Sequence, residues 1–298
     1  MAVSAKPIGS KLGYRMLGWC YRVFGYRFVA FWAVFIVFYY FLFSPRVVAS
    51  SMRFYAALHP EAGRFARWRL AWRQFRSFST VFMDRFLIEN GQAEKFELTH
   101  DGLDTLVGAV QERRPLVLWM SHVGNWEVAV HCLKRFDVPI TLVVARLVDE
   151  RIEALQKAML AQRRIKVVLV EEGAELGVVE VIKALRDGEL VAVSGDRMYS
   201  EQQRSVEVEL FGKKCPVPSG PYVLAGLTGA PIVPIFGFRT GRLAYRFVAL
   251  EPQQVSLGKR SEREESIRRQ AQACFDRLDP MIRSYPEQWY NFFDYWEP

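Results

Sequence analysis

Residues Pro115 to Glu127, PLVLWMSHVGNWE, place an imidazole and a carboxylate five positions apart behind an apolar run. Leu116 to Met120 favour a buried strand, which Ser121 and His122 end. Gly124 and Asn125 supply a turn, and Trp126 and Glu127 open a helix. His122 and Glu127 would not face one another on a continuous helix, where neighbours lie three or four apart. Folded back by the turn, Glu127 would fix one ring nitrogen of His122, freeing the other to accept a proton. That is the chemistry of a general base. The plainer alternative is a loop histidine beside a carboxylate favoured by a helix N-terminus. The other histidines are His59, His100 and His131.

Further candidates also follow expected strands. Arg146 follows PITLVVA, and Gly195-Asp196-Arg197 follows ELVAVS. FGKKCPVPSGP (211–221) contains Lys213, Lys214, Ser219 and Gly220 before a helix. Ligands of open α/β sheets bind at the carboxyl ends of the strands, so parallel strands would gather these loops around His122 and Glu127. Arginines suit a phosphate clamp, and the Ser219-Gly220 amides would receive an anion at a helix start. Taken singly, each has a structural alternative: local ion pairs, solvated lysines, a rigid turn.

The elements that must position these residues alternate. Helices are expected at 101–113, 125–136, 149–163, 174–187, 219–229 and from about 261. Strands are expected at 115–120, 139–145, 165–170, 189–194, 205–210, 231–238 and 242–250. The pattern predicts an α/β fold with a mainly parallel central sheet flanked by helices. Residues 46–90 read as helical, with Phe65, Trp68, Trp72, Phe75, Phe78 and Phe82 interleaved with arginines. A basic amphipathic helix on a membrane surface and a core-facing stripe with a solvated basic back both fit, and a mixture of the two is favoured.

The amino terminus is distinct. Phe28 to Phe43 carries no charge, and extension back to Leu17 adds only Arg22 and Arg27. About 20 apolar residues cross a bilayer, arginines snorkel, and aromatic residues anchor at the interfaces. A spanning or steeply inserted anchor fits best, an in-plane helix second and a cleaved signal peptide third. The expected division is 1–45 as membrane anchor and 46–298 as catalytic domain. Basic residues flank both ends, and the longer run after the helix favours a cytoplasmic domain.

The 298 residues are 51% apolar, which excludes a disordered chain, and carry a net charge of +8. Such charge suits an anionic membrane or an acidic partner. No nucleic-acid module is evident. Cys20, Cys132, Cys215 and Cys274 form no CxxC or metal spacing and read as reduced thiols. Cys132 falls in an expected apolar helix. Without a GxSxG elbow, covalent catalysis is not indicated.

HVGNWE resembles the HX4D/E motif of glycerolipid-type acyltransferases. Its Asn-Trp-Glu form is similar to the lipid A late acyltransferases, the lauroyl and myristoyl transferases, and to mycobacterial phosphatidylinositol mannoside acyltransferases. The resemblance extends over nearly the whole chain: the apolar N-terminal helix, Arg146, Asp196-Arg197 and FGKKCPVPSGPYVLAGLTGAPIVPIF. It implies transfer of an acyl chain from acyl carrier protein or CoA to a lipid hydroxyl at a bacterial inner membrane, in lipid A or lipopolysaccharide synthesis. No metal or cofactor is implied. His122 would be the base and Glu127 would orient it. Arg197 and Arg146 would bind anionic groups or the oxyanion. Asp196, Lys213, Ser219 and Gly220 join them as substrate-binding candidates.

Two departures stand out. Gly195-Asp196-Arg197 replaces an Asp-Gln type sequence, and EQWYNFFDYW (287–296) replaces a basic Trp-Ser-His-Arg-Arg type ending. That ending more resembles the branch found with aryl-polyene gene clusters, so the acceptor need not be a lipid A precursor. The aromatic tail could cover an acyl groove or pack into the core, and core is slightly favoured. A thioester hydrolase or N-acyltransferase on the same fold, and a non-catalytic membrane-bound binding protein, are the alternatives.

Overall fold

A computed structural model describes residues 11–125, 128, 133, 140–145, 166–170, 175–200 and 202–296. A seven-stranded sheet is built from β1 (Glu97–Asp101), β2 (Leu116–Gly124), β3 (Ile140–Ala145), β4 (Lys166–Val170), β5 (Leu190–Ser194), β8 (Ile232–Gly241) and β9 (Ala244–Ala249), in the order β1-β9-β8-β2-β5-β3-β4. Every neighbouring pair is parallel except β8 with β9. The expected mainly parallel sheet is therefore present, and β2 occupies its centre.

Alternation along β2 divides the core. Val117 and Trp119 face one side with α5 (Glu175–Arg186), α6 (Gly220–Thr228) and α7 (Arg263–Ser284). Leu116, Leu118 and Met120 face the other with α4 (Leu103–Gln111). All five are buried, as a central strand covered on both faces requires.

Two strands were not expected. β1, ELTHD, is a largely exposed edge strand without apolar alternation. β7 (Lys213–Pro218), within the expected Pro/Gly loop, pairs antiparallel with β6 (Ser205–Leu210) in a separate two-stranded sheet. Prolines are tolerated there because an edge strand need not donate every amide. The 46–90 segment is two helices, α2 (Pro45–Leu58) and α3 (Arg64–Glu89). Proline at its first position suits the start of α2. The apolar amino terminus forms α1 (Lys11–Phe43), within which Gly18–Phe43 is long and apolar enough to cross a membrane. The expected helix at 149–163 lies outside the described residues.

Candidate active site

β2 does not stop before His122. It continues to Gly124, and the distortion lies within it: from Met120 to Gly124 it advances four positions while β8 advances two, from Ile235 to Gly237. Such a bulge re-aims a side chain at a sheet's end. Gly124 closes it at φ 73°, where an added Cβ would lie 2.4 Å from the Gly237 carbonyl oxygen. Asn125 then donates its backbone N–H to that carbonyl at 2.7 Å. Its side-chain oxygen accepts the Val128 N–H at 3.3 Å, as a helix N-cap does.

Among the described residues, the carboxylate that meets His122 is Asp196. β2 and β5 run parallel with Met120 opposite Ser194, and Gly195 N–H donates to the Met120 carbonyl at 3.0 Å. His122 and Asp196 are each two residues past that pair, so the register brings them together. One Asp196 oxygen lies 2.8 Å from His122 Nδ1, and the other accepts the His122 backbone N–H at 2.7 Å. The Asp196 side chain is fully buried, whereas 19% of His122's is exposed. Burial alone would raise the Asp196 carboxyl. The charge of His122, its two hydrogen bonds and Arg197 together hold it below the usual carboxylate range. An ionised Asp196 accepts a hydrogen bond from Nδ1–H of the neutral ring, leaving the Nε2 lone pair for chemistry.

Expected there was Glu127, which lies outside the described residues, as does Arg146. Asp196, expected to bind substrate, has both oxygens engaged by His122. Arg197 follows it, half-buried, with its guanidinium 5.4 Å from the Tyr199 ring centre and 5.8 Å from that of Phe293. Ser219, expected to receive an anion, donates both its N–H and its hydroxyl to the Arg204 carbonyl, at 3.0 and 3.1 Å. Gly220 is exposed beside it. Lys213 lies at the start of β7, its ammonium 5.3 Å from the Trp296 ring centre. It lines a small pocket with Arg53, Asn291 and Asp294. Lys214 pairs with Glu207 at 2.7 Å. Among the described residues, no group of three or more His, Cys, Asp or Glu side chains is placed to hold a metal ion.

Sequence reasoning missed how the carboxy-terminal segment grips this site. Tyr290 N–H donates to the His122 carbonyl at 2.8 Å, Trp289 bridges Val123, and the Tyr295 hydroxyl donates to the Asp196 carbonyl. Trp289 is fully buried against Phe54 and Tyr295, so the slightly favoured core placement is borne out. Behind the site, the Trp119 indole donates to the Tyr222 hydroxyl at 3.0 Å. Trp119 also covers Gly195 so closely that a Cβ there would lie 1.9 Å from the indole nitrogen. An abundance of aromatic residues near 290 was the available signal, but it did not reveal these backbone partners.

An open, mainly parallel α/β sheet with a carboxylate-held histidine at its strand ends defines a class of protein in which a positioned base meets a ligand. Residues 17–297 match the model of the bacterial lipid A biosynthesis acyltransferase family, and the chain belongs to that family. It is 28% identical over 207 residues to a phosphatidylinositol mannoside acyltransferase of Mycobacterium tuberculosis (strain CDC 1551 / Oshkosh), covering 68% of this chain and 61% of the relative. It is 27% identical over 197 residues to the protein of that name from Mycolicibacterium smegmatis, covering 65% and 60%. The chain thus spans about three-fifths of the length of these relatives.

Proposed function

We propose that this protein is a membrane-held acyltransferase that moves a fatty acyl chain from an acyl carrier protein or CoA thioester to a hydroxyl of a lipid or glycolipid acceptor. The observation that carries the reading is His122, fixed through Nδ1 by a buried, ionised Asp196 at the end of the central strand. The named relatives, by their names, acylate a phosphatidylinositol mannoside. That supports an anionic glycolipid acceptor and does not single out a lipid A precursor.

In the proposed reaction, His122 Nε2 takes the acceptor hydroxyl proton as the oxygen attacks the thioester carbonyl. The C–O bond forms, a tetrahedral oxyanion develops, and the C–S bond then breaks. The imidazolium returns its proton to the departing sulfur. Asp196 stabilises the imidazolium while it exists. Arg197 and Arg146 are proposed to bind the anionic group of donor or acceptor, with Lys213 and Gly220 as outer contacts. Glu127, two residues past Asn125 in chain order, is proposed as a second carboxylate for His122. The site is proposed to face the cytoplasm of a bacterial inner membrane, which fits the free thiols of Cys20, Cys215 and Cys274.

Detergent-purified wild type and His122→Ala would be incubated with acyl-carrier-protein and acyl-CoA thioesters and a bacterial lipid extract, then read by mass spectrometry. The expected result is a lipid that gains one acyl mass with wild type alone. Thioester loss with free fatty acid would make the protein a hydrolase. An acylated amine would make it an N-acyltransferase. Undiminished transfer by folded His122→Ala would overturn the mechanism.

A further inference from the structure

The exposed apolar face of α1 is the largest feature the proposed chemistry leaves unused. Along α1, Gly18, Tyr21, Gly25, Val29, Ala33, Val37 and Phe41 recur every three or four residues and are partly or fully shielded. This stripe lies antiparallel along α3. Tyr21 meets Phe86 near the end of α3, with ring centres 5.7 Å apart. Phe41 meets Trp68, Trp72 and Phe75 near its beginning, at 5.1–5.3 Å. Gly25, at φ 76°, breaks the helix so that both halves follow α3. On the other side, Trp19, Phe24, Phe31, Trp32, Phe35 and Tyr39 are exposed.

α3 is itself fixed to the sheet domain. Gln74 donates to the Trp289 carbonyl, Ser77 and Tyr290 share a 2.8 Å hydrogen bond, and Asp84 pairs with Arg239 at 2.7 Å. Near the middle of α1, the Tyr26 ring centre lies 5.5 Å from the Arg242 guanidinium. Were α1 perpendicular to a bilayer, the helix strapped along it would enter too. Exposed Arg73 and Arg76, and Arg242 beside Tyr26, would then sit at hydrocarbon depth. Each charge at a bilayer centre is strongly unfavourable.

We infer that α1 lies in the plane of the membrane, with its outer face in one leaflet and both ends on the side of the sheet domain. The occupant of this face is a lipid monolayer. The apolar face takes the acyl boundary, and the exposed arginines of α3 and Arg22 and Arg27 of α1 reach the phosphates. The inference rests on the membrane attachment proposed above and is independent of the reaction catalysed.

The test uses the full chain in bacterial membranes, with Cys20 and Cys132 replaced by Ser. Single cysteines are introduced as Lys11→Cys, Ser44→Cys or Lys259→Cys, the last reporting the sheet domain. A membrane-impermeant maleimide is applied to spheroplasts and to inverted vesicles. Buried Cys215 and Cys274 must stay unlabelled until denaturation, which verifies folding. Labelling of all three positions from the same face, and of none from the other, is the expected result. Labelling of Lys11→Cys from the face opposite Lys259→Cys makes α1 a spanning helix and overturns the inference while leaving attachment intact. Lys11→Cys that labels only after detergent overturns it too. Recovery of the protein in the soluble fraction rather than with the membranes, in ordinary buffer, overturns both attachment and the in-plane arrangement.

Discussion

His122 and Asp196 differ in burial, and that difference sets what each contributes. Asp196→Asn preserves shape but removes the charge that steadies the imidazolium. Transfer is expected to fall about 10²–10⁴-fold, with an unchanged circular-dichroism spectrum, and initial rates at saturating donor check it. Glu127→Gln in the same assay apportions the role: a smaller loss than Asp196→Asn keeps Asp196 as the principal partner. The depressed Asp196 carboxyl also couples folding to pH. Its stabilising contribution is complete above the ordinary carboxylate range and is lost as pH falls through the lowered folded-state value. Urea midpoints measured across acid pH should therefore fall less steeply for Asp196→Asn than for wild type.

Between elements, the informative contacts cross long stretches of sequence. Tyr295→Phe leaves the buried Asp196 carbonyl without its hydroxyl donor. A loss of about 1–3 kcal/mol is expected from denaturant unfolding, with a fall in kcat that exceeds any change in KM. Asp84→Ala removes the buried partner of Arg239 and the acceptor of the Tyr245 hydroxyl, which unpins α3 from the sheet. About 3 kcal/mol of destabilisation is expected by the same measurement. The parallel sheet was legible in the sequence because its strands are apolar runs separated by helical periods. The continuation of β2 through Ser121-His122-Val123-Gly124 was not, since part of its pairing comes from distant Trp289 and Tyr290. β7 was hidden by its prolines and lysines. Asp196 was visible as a residue after a strand, but its role depends on the β2–β5 register, which no local pattern specifies.

For the whole molecule, the net charge of +8 and the arginines of α3 should govern attachment to anionic surfaces. Arg73→Ala with Arg76→Ala is expected to weaken binding to anionic vesicles by about 1 kcal/mol per arginine. The difference should shrink at high ionic strength, and vesicle sedimentation over a salt series checks it. The central place of β2 has a kinetic corollary. Its two neighbours, β5 and β8, come from residues 190–194 and 232–241, so neither side of this strand has a partner close by in the chain. Loop closure must precede both pairings. Until then LVLWMSHVG is an apolar ribbon with two open edges. Newly made protein therefore passes through an adhesive stage in which the segment that carries His122 is open to wrong pairing.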